Sequence, residues 1–188
     1  MRMEPTARQK ELYRKIAPIL GVNPRVIAYG NEDNTESIYI MNCPDPTDNA
    51  VTFYCSIGLL DYPVDGRRYE ILMAGYDEYE AVPNILSTCA FFLMLNGWKC
   101  TCGNVFETLV EMYFRGMEMK HILFVPPYLW EDKLLGFSVE GEPIDFTLAL
   151  PISDEELEYK RTHGTEALLT VFEERSIDIF NLGRKSVL

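Results

Sequence analysis

The sequence lacks a run long and apolar enough to cross a membrane. Its most apolar stretch, Ile85 to Leu95, falls well short of the roughly 20 residues a spanning helix needs. No basic start followed by an apolar run marks a secretion leader. There is no phosphate loop, no nucleophile elbow around Ser56, Ser87 or Ser153, and no internal repeat or low-complexity tract. Cysteine is scarce and odd in number: Cys43, Cys55, Cys89, Cys100 and Cys102. An odd count in a chain of 188 residues argues against a disulfide framework. Cys55 sits in an alternating strand pattern and Cys89 in an apolar helix, so both read as small core hydrophobes. Together these absences predict a reduced, cytoplasmic protein.

Metal and acid–base signals are equally thin. Cys100-Thr-Cys102 has a spacing of one, whereas zinc sites pair cysteines two to four residues apart and need a second pair. The two histidines are isolated: His121 enters an apolar strand and His163 sits at a helix end. Carboxylates abound, yet none is bracketed by residues that would raise one pKa and lower its neighbour's. The expectation is therefore no catalytic residue, no metal and no cofactor.

What is present is acid and apolar bulk. Seventeen Lys and Arg face twenty-nine Asp and Glu, a net charge of −12. Such a field repels nucleic acid and anionic lipid and attracts a basic partner, while also serving solubility. The apolar fraction of 47% is enough for a core. No linker divides the chain, so residues 1–188 read as a single domain.

Along the chain, Thr6 and Gln9 make a capping box for a helix to Leu20, with Leu12, Ile16, Ile19 and Leu20 on one face. Gly21 is expected as a left-handed stop. Arg25–Tyr29 and Ser37–Met41 read as strands around Asn31–Asn34, and Cys43–Asp48 as a loop interrupted by two prolines. Val51–Ile57 and Arg68–Ala74 form the clearest strand pair, and Tyr62–Gly66 lies between them. Val82–Asn96 is a helix apolar nearly all round, predicted to be buried on most sides and closed by Gly97. Val105–Tyr113 fits strand or helix equally. His121–Val125 is a core strand ended by Pro126 and Pro127, after which Trp130 is expected to cover the core edge. Gly136–Val139 pairs with Ile144–Leu150. Ser153 and Glu156 form a second capping box, Gly164 stops that helix, and Thr165 caps the next.

One loop combines features suited to binding. Tyr76, Asp77, Glu78, Tyr79 and Glu80 join a core strand to the apolar helix. Tyrosines offer contact area at low entropy cost, and carboxylates pair with Arg or Lys across an interface. These five residues are the predicted partner-binding site. A solvated loop that favours the start of the next helix explains the same acids.

Several segments are informative together: Glu70-Ile-Leu-Met-Ala74, Asn84-Ile-Leu86, Phe124-Val-Pro-Pro-Tyr-Leu129, Leu150-Pro-Ile-Ser-Asp-Glu-Glu-Leu157, His163-Gly164 and Gly183-Arg-Lys-Ser-Val187. Their order, from about Ile71 to the C terminus, resembles the suppressor of fused (SUFU) family in its short bacterial form. In animals the resemblance implies a two-lobed regulator that clamps a peptide as an added strand between lobes. This chain has the length of the first lobe, so those clamp residues do not carry over. In bacteria it implies an immunity protein encoded beside a secreted polymorphic toxin, and a basic nuclease toxin would suit an acidic neutraliser. The family implies no catalytic residue and no cofactor.

The sequence thus predicts an α+β fold, a single domain with a mixed, mostly antiparallel sheet and helices packed on it. It predicts a non-enzymatic protein-binding module that neutralises a cognate toxin. The alternative is a cytoplasmic adaptor that binds a peptide by strand addition.

Overall fold

The computed structural model describes residues 4–31, 33 and 35–188. Helix α1 (Ala7–Leu20) starts at the predicted box: the Gln9 amide donates to the Thr6 hydroxyl, and the Thr6 amide donates to the Gln9 side chain, each at 3.1 Å. Leu12, Ile16 and Leu20 are buried, and Ile19 is half-buried. Each fully buried residue contributes about 1.5–3 kcal/mol. Gly21 ends the helix differently from the expectation. Its φ is 178°, which is extended backbone and not left-handed. Close approach is what requires glycine here, because a Cβ would lie 2.5 Å from the Pro44 carbonyl oxygen.

Strands β1 (Arg25–Gly30), β2 (Ser37–Pro44), β3 (Val51–Ile57) and β4 (Arg68–Tyr76) form an antiparallel meander. Glu32 and Asn34 of the predicted first turn lie outside the described residues. The Asn31 side chain accepts the amides of Thr35 and Glu36 at 2.8 and 3.0 Å and so closes that turn. Cys43 and Pro44 belong to β2, opposite Phe53 and Thr52, and not to the loop the prolines suggested. Pro44 is the last residue of the strand, where a missing amide removes one rung at most, and its carbonyl accepts the Val22 amide at 3.3 Å. A short 3-10 helix, Leu59–Asp61, precedes the Tyr62–Gly66 turn.

The remaining strands are β5 (Val105–Phe106), β6 (Met119–Val125), β7 (Ser138–Val139) and β8 (Glu142–Ser153). Sheet order is β1-β2-β3-β4-β8-β6-β5, with β7 paired to β8. Only β4 and β8 run parallel among these pairs. Val105–Tyr113 is neither helix nor full strand: two residues pair with β6, and turns follow.

Helices α2 (Val82–Asn96), α3 (Glu131–Leu134), α4 (Asp154–His163) and α5 (Thr165–Glu174) complete the fold. The sheet has a core on each face. Val51, Phe53, Cys55 and Ile57 of β3 join α1 and α5 on one face, while Tyr54 joins α2 on the other. With both faces covered, the central strands are buried at nearly every position, including the polar Thr52, Ser56 and Glu70. Trp130 covers the core edge as predicted, edge-on to Phe53 at 5.0 Å.

α2 is buried or half-buried everywhere except Asn84, Leu95 and Asn96, as expected of a helix apolar nearly all round. Phe92 meets Trp98 and Phe106. The start of α5 differs from the expectation. Thr165 lies inside α5, whose N-cap is Gly164, and no side chain caps that helix. Gly97 closes α2, as expected, and does so in the left-handed conformation at φ 63°.

Candidate functional site

The loop from Tyr76 to Glu80 is bound into the fold at several points. The Asp77 amide donates to the Ala50 carbonyl at 2.9 Å, and the Tyr76 amide to the Phe180 carbonyl at 3.1 Å. The Tyr76 hydroxyl donates to Asp178 at 2.9 Å. That bond, ahead of burial, raises the Tyr76 pKa, because removing the proton would set two anions side by side. The Thr52 hydroxyl donates to Asp77 at 2.6 Å.

Tyr79 departs from the sequence expectation. It is buried, edge-on to Phe114, and its hydroxyl donates to Asn181 at 2.7 Å while accepting the Gly183 amide at 3.1 Å. Its ring faces the protein's own core and is not on the surface offered to a partner. The alternation of residues separates the roles: the tyrosines hold the C-terminal segment, and Asp77, Glu78 and Glu80 are exposed.

That C-terminal segment threads back to α4. Ser153 and Glu156 form the predicted capping box at 3.1 Å in each direction. Glu156 also receives Arg184, through Nη1 at 2.6 Å and Nη2 at 2.7 Å. Arg184 further donates to the Pro151 carbonyl at 3.1 Å and lies 5.3 Å from the Phe172 ring centre. The Ser153 and Ser186 hydroxyls are 3.0 Å apart. The sequence motifs around Ser153 and Arg184 are thus two halves of one contact.

Other reactive groups are tied up in structural roles. His121 is buried, its Nδ1 accepting the Thr108 amide at 2.9 Å, which places the ring proton on Nε2 facing Asp154 at 2.8 Å. Cys100 is buried and Cys102 exposed, so the two thiols point to different environments. Burial pushes the Cys43 thiol up to about 11 and the Cys100 thiol to about 12, far from nucleophilic thiolates. Among the described residues no group of three His, Cys, Asp or Glu side chains could hold a metal ion, and no helix is long and apolar enough to cross a membrane.

Sequence reasoning missed Glu70. It is fully buried, and burial pushes its carboxyl up to about 8 against the pull of its donors. These are the Ser56 hydroxyl and the amides of Gly58 and Leu60, the latter two at 2.9 and 3.1 Å. The carboxyl organises the turn after β3. A lone acid inside the apolar run Tyr69–Ala74 was the available signal.

The sequence profile described as Suppressor of fused protein (SUFU) matches residues 34–185. It reaches further toward the N terminus than the motifs did. The chain is 34% identical over 192 aligned residues to Immunity protein YqcF of Bacillus subtilis (strain 168), covering 99% of this chain and 100% of that one. A crystal structure of a protein from Neisseria gonorrhoeae described as a SUFU homologue superposes with TM-score 0.75 at 16% identity, covering 96% of this chain and 97% of that one. Suppressor of Fused from Drosophila superposes with TM-score 0.63 at 14% identity, covering 95% of this chain and 50% of that one.

Proposed function

Because this chain belongs to the suppressor of fused protein family, we propose that it is a non-catalytic immunity protein that neutralises a cognate toxin by binding it. The observation that carries this reading is the end-to-end similarity to Immunity protein YqcF. The proposed mechanism is occlusion: an acidic surface that includes Asp77, Glu78 and Glu80 covers a basic active site on the toxin. The net charge of −12 supports this choice of partner. The loop's anchoring to Ala50, Thr52 and Phe180 also supports it, since preorganised contacts lose less entropy on binding. The site of action is the cytoplasm. Coexpression with any toxin that a neighbouring gene encodes tests the reading. It requires survival of the host and a stable stoichiometric complex; toxicity unchanged by full expression of this chain rejects it.

One feature favours a second reading, the peptide adaptor. Among the described residues β1 is an edge strand paired with β2 alone, and Val26 and Ile27 are 44% and 43% exposed. Such an edge can accept an extended peptide as an added strand. Placing Lys at both positions blocks edge pairing. It leaves toxin neutralisation intact on the first reading and abolishes partner capture on the second.

A further inference from the structure

Beside the acidic loop lies an open apolar groove of about 570 Å³. Tyr128 and Leu129 line it from the turn after β6, Leu169 and Phe172 from α5, and Ile177 and Phe180 from the C-terminal segment. The volume falls in the range of sites that take a ligand or several side chains. The turn is divided in its use. Trp130 is buried in the core, whereas Tyr128 and Leu129 remain 43% and 38% exposed. The Tyr128 hydroxyl has no hydrogen-bond partner among the described residues, and desolvation alone pushes it up to about 12.

The surroundings of the groove are acidic. Glu173 lines it, and in the stretch Glu173–Asp178 three carboxylates, Glu173, Glu174 and Asp178, outnumber the single cation Arg175. All three are exposed. The Arg184 guanidinium, which lies against Phe172 of the lining, is matched by Glu156. The groove also continues into the acidic loop. Phe180 lines it and packs against Tyr76 at 6.2 Å, and the Tyr76 hydroxyl is bonded to Asp178.

We propose that this groove receives a bulky apolar or aromatic side chain from a basic segment of the partner toxin, while Glu173 and the Asp77–Glu80 acids hold the cations flanking that anchor. This rests on the neutralisation reading and adds to it a specific contact. A desolvated apolar anchor ringed by charge is the arrangement that concentrates binding energy at the centre of an interface. The anchor sets the lifetime of the complex, and the carboxylates set its rate of formation.

The test uses the full chain and the toxin domain identified by the coexpression experiment above. Leu129→Arg closes the groove from an exposed turn, Glu173→Lys reverses its rim charge, and Glu111→Lys makes the same reversal in an exposed segment that packs with α2 on the other face of the sheet. Circular dichroism melts establish that each variant is folded. Leu129→Arg is expected to weaken binding at least tenfold, mostly through faster dissociation. Glu173→Lys is expected to slow association severalfold at low salt, and Glu111→Lys to stay within twofold of wild type. If the wild type binds and both groove variants bind within twofold of it, the groove is not the contact, and neutralisation proceeds elsewhere. If the wild type is a dimer that Leu129→Arg dissolves, a second copy occupies the groove and the assignment to the toxin is overturned. If the wild type does not bind the toxin, the functional reading falls, and this inference falls with it.

Discussion

Arg184 holds both carboxylate oxygens of Glu156 with both terminal nitrogens, at 2.6 and 2.7 Å, where neither side chain is more than 7% exposed. The pair joins the C-terminal segment to the first turn of α4. The pair also engages the Ser153 and Val187 amides through Glu156, and the Pro151 and Lys185 carbonyls through Arg184. An ion pair this enclosed adds little net stability as a pair, yet breaking it strands a charge.

Arg184→Ala is therefore expected to cost about 3–5 kcal/mol, a large share of the stability of a domain this size. The double variant Arg184→Met with Glu156→Leu should cost less than that single change, because no buried charge is left alone. Urea denaturation of the three proteins measures the order.

Glu70 makes stability depend on pH. Its folded-state value near 8 lies above the ordinary 4.5, so folding takes up a proton between those limits. The stabilising contribution is complete below about 4.5 and is lost as pH rises toward 8, with a slope of up to about 1.4 kcal/mol per pH unit. Glu70→Gln should flatten that part of the profile. Denaturation midpoints at pH 5, 6, 7 and 8 for both proteins check the slope.

Ser153→Ala is expected to cost roughly 1 kcal/mol for the lost cap, with an added loss from its contact to Ser186. Binding should be unchanged. Loss of binding at wild-type thermal stability would make Ser153 a contact residue and not a cap.

The acidic loop should act on rate. Reversing Glu78 and Glu80 to Lys is expected to slow association most at low ionic strength, since exposed charges act at long range only when unscreened. Adding Asp77→Lys should also lower stability, because Asp77 holds the Thr52 hydroxyl. Association rates at two salt concentrations, with melts of each variant, separate the two effects.

Features governed by neighbours in sequence were readable from the chain. The Thr6–Gln9 and Ser153–Glu156 boxes, the limits of α2 and its closure at Gly97 all depend on residues within a turn or two. What stayed hidden depends on residues far away. Gly21 looked like a helix stop but is glycine because Pro44 comes within reach. Pro44 looked like a strand breaker but ends a strand whose last rung can spare an amide. Tyr79 looked like a contact residue until Asn181 and Gly183 claimed its hydroxyl. In the candidate site, the exposure of Asp77, Glu78 and Glu80 followed from their loop setting. The groove did not, because its lining comes from three separate segments.

The parallel pairing of β4 with β8 has a consequence for the order in which the protein is made. β1 to β4 are consecutive in both sequence and sheet, so each can pair with its neighbour once both have emerged from the ribosome. The far side of β4 must wait for Glu142–Ser153, with α2, β5, β6, α3 and β7 synthesised in between. During that interval a long, apolar strand carries an unpaired edge, the feature most prone to joining another chain. Released chains truncated before residue 142 should therefore associate with holdase chaperones, and the full-length chain should not.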